Sequence, residues 1–137
     1  MKYLSDYTER SQTKLFERTG SFFAFGNKQF KEAAKDGVKY VSMGHGLICP
    51  ENNVQALIEG LNNIQDAAIR QDVEENNVHA IIEREYFNYE SQVSMDTSNA
   101  MAALEGHKRV YPELFTDDLI SKVFHKCFLK AVENDWF

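Results

Sequence analysis

Val38-Lys39-Tyr40-Val41-Ser42-Met43-Gly44-His45-Gly46-Leu47-Ile48-Cys49-Pro50-Glu51 is the stretch on which the fold turns. Val38 to Met43 is rich in β-formers and predicts a strand. Gly44-His45-Gly46 interrupts it, and Leu47-Ile48-Cys49 reads as a short strand folded back as a hairpin. Pro50 stands where proline is favoured, at the first turn of a helix. Beyond it the period changes. Val54, Leu57, Ile58, Leu61, Ile64 and Ala68 recur at i, i+3, i+4 and i+7, which predicts a helix over 51–69. Period two on one side of Pro50 and period 3.6 on the other make the class α+β. The expected form is a small antiparallel sheet of two or three strands in the N-terminal third and several helices, two of them long.

Upstream, Asp6 and Glu9 have capping-box spacing for a helix over about 7–19, and Gly20 suits the position just past its end. Ser21-Phe22-Phe23-Ala24-Phe25 is nearly continuous in apolar residues and predicts a strand buried on both faces. Asn27 is placed to cap a short helix over 28–35 that carries Phe30, Ala33 and Ala34 inward.

Downstream, a second long helix is expected to run to about Gln92, with Val78, Ile81, Ile82, Tyr86, Tyr89 and Val93 inward. Whether 70–77 breaks the helix stays open, since Glu74-Glu75-Asn76-Asn77 favours a turn while Pro and Gly are absent. Asp96 is an N-cap candidate for a helix over 97–105, closed by Gly106. Thr116 caps a last helix that begins with Asp117-Asp118 and runs to about Val132. Trp136 and Phe137 either fold back onto the domain or contact a partner.

With 137 residues, the chain has the usual length of one domain, and no repeat or linker divides 1–137. Hydrophobic residues at 43% and aromatics at 12% allow a core without disulfides or metals. Cys49 and Cys127 stand in apolar contexts far apart and read as free buried thiols. The polar start Met1-Lys2-Tyr3-Leu4-Ser5-Asp6 lacks a signal-peptide core, and no apolar run approaches the roughly 20 residues of a membrane span. Both features predict a cytoplasmic protein without membrane attachment.

The formal charge is −6 and unevenly spread. Residues 1–50 carry eight Lys/Arg against five Asp/Glu, 51–100 two against ten, and 101–137 five against six. This disfavours direct nucleic-acid binding, which needs cations for the phosphates. It allows a surface for a basic protein partner. Asp66, Asp72, Glu74 and Glu75 are the candidate contact residues on such an acidic face; the plainer alternative is a solvated helix side.

Catalytic motifs are weak. Gly44-His45-Gly46 between strand and helix has the physics of a phosphate loop, but no Lys-Ser/Thr follows and Glu51 opposes an anion. Glu85, Asn88, Tyr89 and Glu90 form the alternative site. Glu85 and Tyr89 share a helix face, and Asn88 is spaced to hydrogen-bond Glu85, whose carboxyl beside buried aromatics is expected to titrate high. A structural polar network explains the same residues. His45, His79, His107 and His125 lack metal-ligand spacing, and only Glu85, Glu90 and Asp96 could gather an oxygen-seeking cation. Neither a metal, a cofactor nor a nucleophilic triad is expected.

Phe22-Phe23-Ala24-Phe25 with Gln29-Phe30, the glycine turn at Gly44 and Gly46, Glu85-x-x-Asn88-Tyr89-Glu90 and Ala103-Leu104-Glu105-Gly106 resemble an uncharacterised family. Its members are small proteins frequent in bacteriophage and prophage genomes, and the likeness runs over most of the chain. The family pattern has His where this chain has Tyr89, and a phenol does not replace imidazole near neutral pH. The resemblance implies a phage or mobile-element origin. By analogy with small acidic proteins of that setting, it implies inhibition or modulation of a host protein, with a CRISPR nuclease or another nucleic-acid-binding effector among the targets. A ligand-binding protein or enzyme using Glu85–Glu90, and an assembly protein that self-associates through Trp136 and Phe137, are the alternatives.

Overall fold

The computed structural model describes residues 1–137 and contains eight α-helices and three strands, so the α+β class holds. The chain divides into two units, Ser5–Gln65 and Met1–Leu4 with Asp66–Phe137.

The first unit holds α1 (Leu4–Thr19) from Ser5 onward, β1 (Phe22–Phe23), α2 (Asn27–Ala33), β2 (Tyr40–Ser42), β3 (Leu47–Pro50) and the beginning of α3 (Val54–Glu75). Helix α1 starts at Leu4, so Asp6 lies in its first turn and is not its cap. Asn27 does not cap α2 either. That position falls to Gly26, with no side-chain bond, and the Gln29 side chain instead accepts from the Phe25 N–H at 2.7 Å. Ala33 is exposed rather than inward.

The sheet is antiparallel in the order β1-β3-β2, with Phe22 opposite Ile48 and Val41 opposite Cys49. The hairpin expected at Gly44–Gly46 is therefore present, and β1 adds on the far side of β3. Strand β1 is a short edge strand and is not buried on both faces: Phe23 is 51% exposed, and Phe25, just beyond the strand, 75%. The unit's small core is Leu15, Cys49 and Leu57, with Phe16, Leu47 and Leu61 packed around it. Leu15 explains Gly60. A Cβ there would lie 2.6 Å from a Leu15 methyl, so the close approach of α1 to α3 requires glycine despite its helix cost of about 1 kcal/mol. Ile58, expected inward, lies at the flank of that side of α3 and is exposed.

A short 3-10 turn, Glu51–Asn53, follows Pro50, and α3 then runs without a break to Glu75. The break falls at Asn76-Asn77, where the Asn77 side chain accepts from the Ala80 N–H at 2.7 Å and caps the next helix.

The second unit takes the end of α3, then α4 (Val78–Asn88), α5 (Ser91–Ser94), α6 (Ser98–Ala103), α7 (Glu105–Val110) and α8 (Asp117–Asn134). Its core joins Ile81, Ile82 and Tyr86 to Leu104, Phe115, Ile120 and Phe124. Helix α4 stops four residues short of the expected end because Glu90 adopts a left-handed φ of 51°. The turn leaves Tyr89 and Val93 exposed, not inward. Gly106 lies inside α7 and does not close α6. Thr116 caps α8 as predicted, accepting from the Leu119 N–H at 3.2 Å, with Asp117 and Asp118 in the first turn. Trp136 packs edge-on against Phe87, yet stays 44% exposed. No helix is long and apolar enough to cross a membrane.

Candidate functional site

The densest group of titratable side chains lies inside the second unit. Asp72 ends up there because α3 continues past residue 69 in register. Leu57, Leu61, Ile64 and Ala68 mark its inner side, and Asp72 is the next step, four residues on from Ala68. Arg84 and Glu85 follow Ile81 and Ile82 on α4 by three residues, and His107 follows Leu104 by three at the start of α7. All four side chains are buried, and Asp72 is completely so.

Arg84 is the hub. Its Nη1 and Nη2 donate to the two oxygens of Asp72 at 2.8 and 2.9 Å, an end-on fork suited to guanidinium and carboxylate. Its Nε donates to Glu85 at 2.7 Å, and Nη1 also reaches the Lys2 carbonyl at 3.1 Å. Asp72 accepts further bonds from the Asn76 amide at 3.0 Å and from His107 Nε2 at 2.8 Å. Because the carboxylate only accepts, Nε2 of His107 carries the hydrogen. Nδ1 is left buried without a partner, with the ring against Phe115.

The electrostatics follow from these bonds. Burial pushes the Asp72 carboxyl upward, but the bonds from His107, Arg84 and Asn76 and the Arg84 charge outweigh it and hold it at about 2. Burial likewise works against the Arg84 charge, and Asp72 and Glu85 more than restore it, leaving it above the ordinary arginine value. Cys127, elsewhere in the same core, is pushed up to about 12 by burial and by Glu83, so its thiol is not a nucleophile.

Asp72 is therefore no surface contact: its place on an acidic face is corrected to the centre of the buried network. Of the other acidic-face residues, Asp66 is partly buried and paired with Arg109, while Glu74 and Glu75 are exposed and pair with no base. The Glu85–Glu90 group does not assemble. Glu85 turns inward to Arg84, not to Asn88, and Asn88, Tyr89 and Glu90 are exposed. Gly44, His45 and Gly46 belong to the other unit and form a tight turn with φ of 91°, 53° and 82°. Leu47 N–H closes it on the Gly44 carbonyl at 3.0 Å. No group of three His, Cys, Asp or Glu is placed to hold a metal.

Arg84 and His107 are the residues that sequence reading missed. Each follows a buried apolar residue by one helical turn, which was the available signal.

A family model described as a family of unknown function (DUF7659) matches residues 4–130. The chain belongs to this family. No curated protein and no solved structure matches it. The span matched to DUF7659 includes Asp72, Arg84, Glu85 and His107, and leaves Lys2, Trp136 and Phe137 outside.

Proposed function

We propose that the chain is a protein-binding module whose acidic unit docks on a basic surface of a host protein and blocks or redirects it. The carrying observation is where the charge falls. Residues 1–4 and 66–137 hold eight Lys/Arg against fourteen Asp/Glu, a difference of −6, which is the formal charge of the whole chain. The first unit is thus formally neutral. The acids that could serve chemistry, Asp72 and Glu85, are buried and bonded to Arg84, whereas Glu74 and Glu75 face solvent. An exposed carboxylate surface resembles a phosphate backbone in charge, so a groove built for nucleic acid is the partner surface it fits. A phage or mobile-element origin, and a defence effector such as a CRISPR nuclease as the target, are the specific form of this reading.

The test is binding of the tagged chain to purified CRISPR effectors at low and high salt. Saturable binding that weakens with salt, and weakens again in Glu74→Lys/Glu75→Lys, is the expected result. Binding that ignores both salt and charge reversal, or no binding by any effector, overturns the reading.

A further inference from the structure

Where the first turn of α4 meets the N-terminal half of α8, the second unit has an open recess of about 450 Å3. Leu119 and Val123 form its floor, and its wall is largely carbon, to which lysine stems contribute. Lys122 and Lys126 lie four residues apart on one side of α8 and stand at the rim with His79 and His125. The one acid lining it, Asp118, is bonded to Lys122 at 3.0 Å, and Lys126 has no acidic partner. In a unit that carries the whole net charge of the chain, this is a locally basic place around an apolar floor.

We propose that this recess binds a small carboxylate with an apolar body, of the medium-chain fatty-acid class. The volume lies within the range of small-ligand sites, roughly 300–1,000 Å3. The carbon wall favours burial of an apolar chain, in proportion to the area removed from water. Lys126 supplies the opposite charge, Lys122 adds to it when it turns from Asp118 to the ligand, and imidazole N–H groups supply hydrogen bonds to carboxylate oxygens. A compact inorganic anion would use the rim and leave the wall empty. A cationic amphiphile would fit the wall and meet two ammonium groups. The site does not involve the acidic surface proposed above, and either reading stands if the other fails.

Decanoate below its micelle concentration, titrated into the full chain, tests this by calorimetry and by the imidazole NMR signals of His79 and His125. Saturable binding is expected, with both imidazoles shifted. Affinity should drop about tenfold in Lys122→Gln/Lys126→Gln, whose thermal midpoint stays unchanged because both side chains are exposed. Acetate should bind far more weakly than decanoate, and decyltrimethylammonium should not shift the imidazoles. Absence of saturable decanoate binding, equal binding of the cationic amphiphile, or full affinity in the double variant overturns the proposal. So does a dimer of the unliganded chain that the double variant dissociates in sedimentation, because a second copy would then occupy the recess.

Discussion

Arg84 grips Asp72 through two parallel hydrogen bonds, Nη1 to Oδ1 at 2.8 Å and Nη2 to Oδ2 at 2.9 Å, with both side chains shut away from water. A buried pair of this kind need not stabilise a fold relative to an apolar pair of the same shape. Removing one member leaves the other buried and unpaired, and that is costly.

Asp72→Ala should therefore destabilise the chain by about 3–5 kcal/mol. That is a large share of the roughly 5–15 kcal/mol that holds a typical domain together. Urea unfolding followed by circular dichroism measures it. A midpoint shift of less than a few tenths molar would mean that Arg84 finds water or another acceptor in the variant.

The same carboxylate predicts an acid response. Asp72 titrates at about 2 in the folded chain and near 3.9 when unfolded, so the unfolded chain takes up the proton first as pH falls. Its contribution is complete above about pH 5, declines through pH 4 and is gone below about pH 2. The urea midpoint should fall across that window, and Asp72→Asn should flatten the fall. An unchanged slope in that variant would assign the acid sensitivity to other carboxylates.

Gly44 and Gly46 both have left-handed φ but should respond differently to alanine. A Cβ on Gly46 would lie 2.3 Å from the Phe25 ring, whereas one on Gly44 would meet nothing within 4 Å. Gly44→Ala then costs about 1 kcal/mol of backbone strain, and Gly46→Ala about 2, since Phe25 must also leave its stacked position beside Phe23. Equal unfolding midpoints for the two variants would show that Phe25 moves aside freely.

The fold class was legible because the switch from period two to period 3.6 at Pro50 is local, and so are the caps at Thr116 and the turn at Gly44–Gly46. Strand β1 was misjudged because burial of a phenylalanine run depends on what packs over each face of the sheet, and Phe23 and Phe25 stay exposed. The end of α4 was missed because a non-glycine residue, Glu90, takes the left-handed conformation there. The buried network was half legible. Glu85 attracted notice beside aromatic residues, but Asp72 was read by its charge when its register with Ala68 already placed it inside. Arg84 and His107 each stand one helical turn beyond a buried apolar residue, but that spacing does not name their partner, Asp72, which lies 12 and 35 positions away.

That spacing bears on how the protein is made. A ribosome delivers Asp72 well before Arg84, and Arg84 well before His107. Until the later residues emerge, the carboxylate has no partners except water and Asn76, and desolvating it is unfavourable. The end of α3 must therefore wait, hydrated, while α4 to α7 are synthesised. The network is complete only when His107 arrives, and the core of the second unit only when α8 has followed with Ile120 and Phe124.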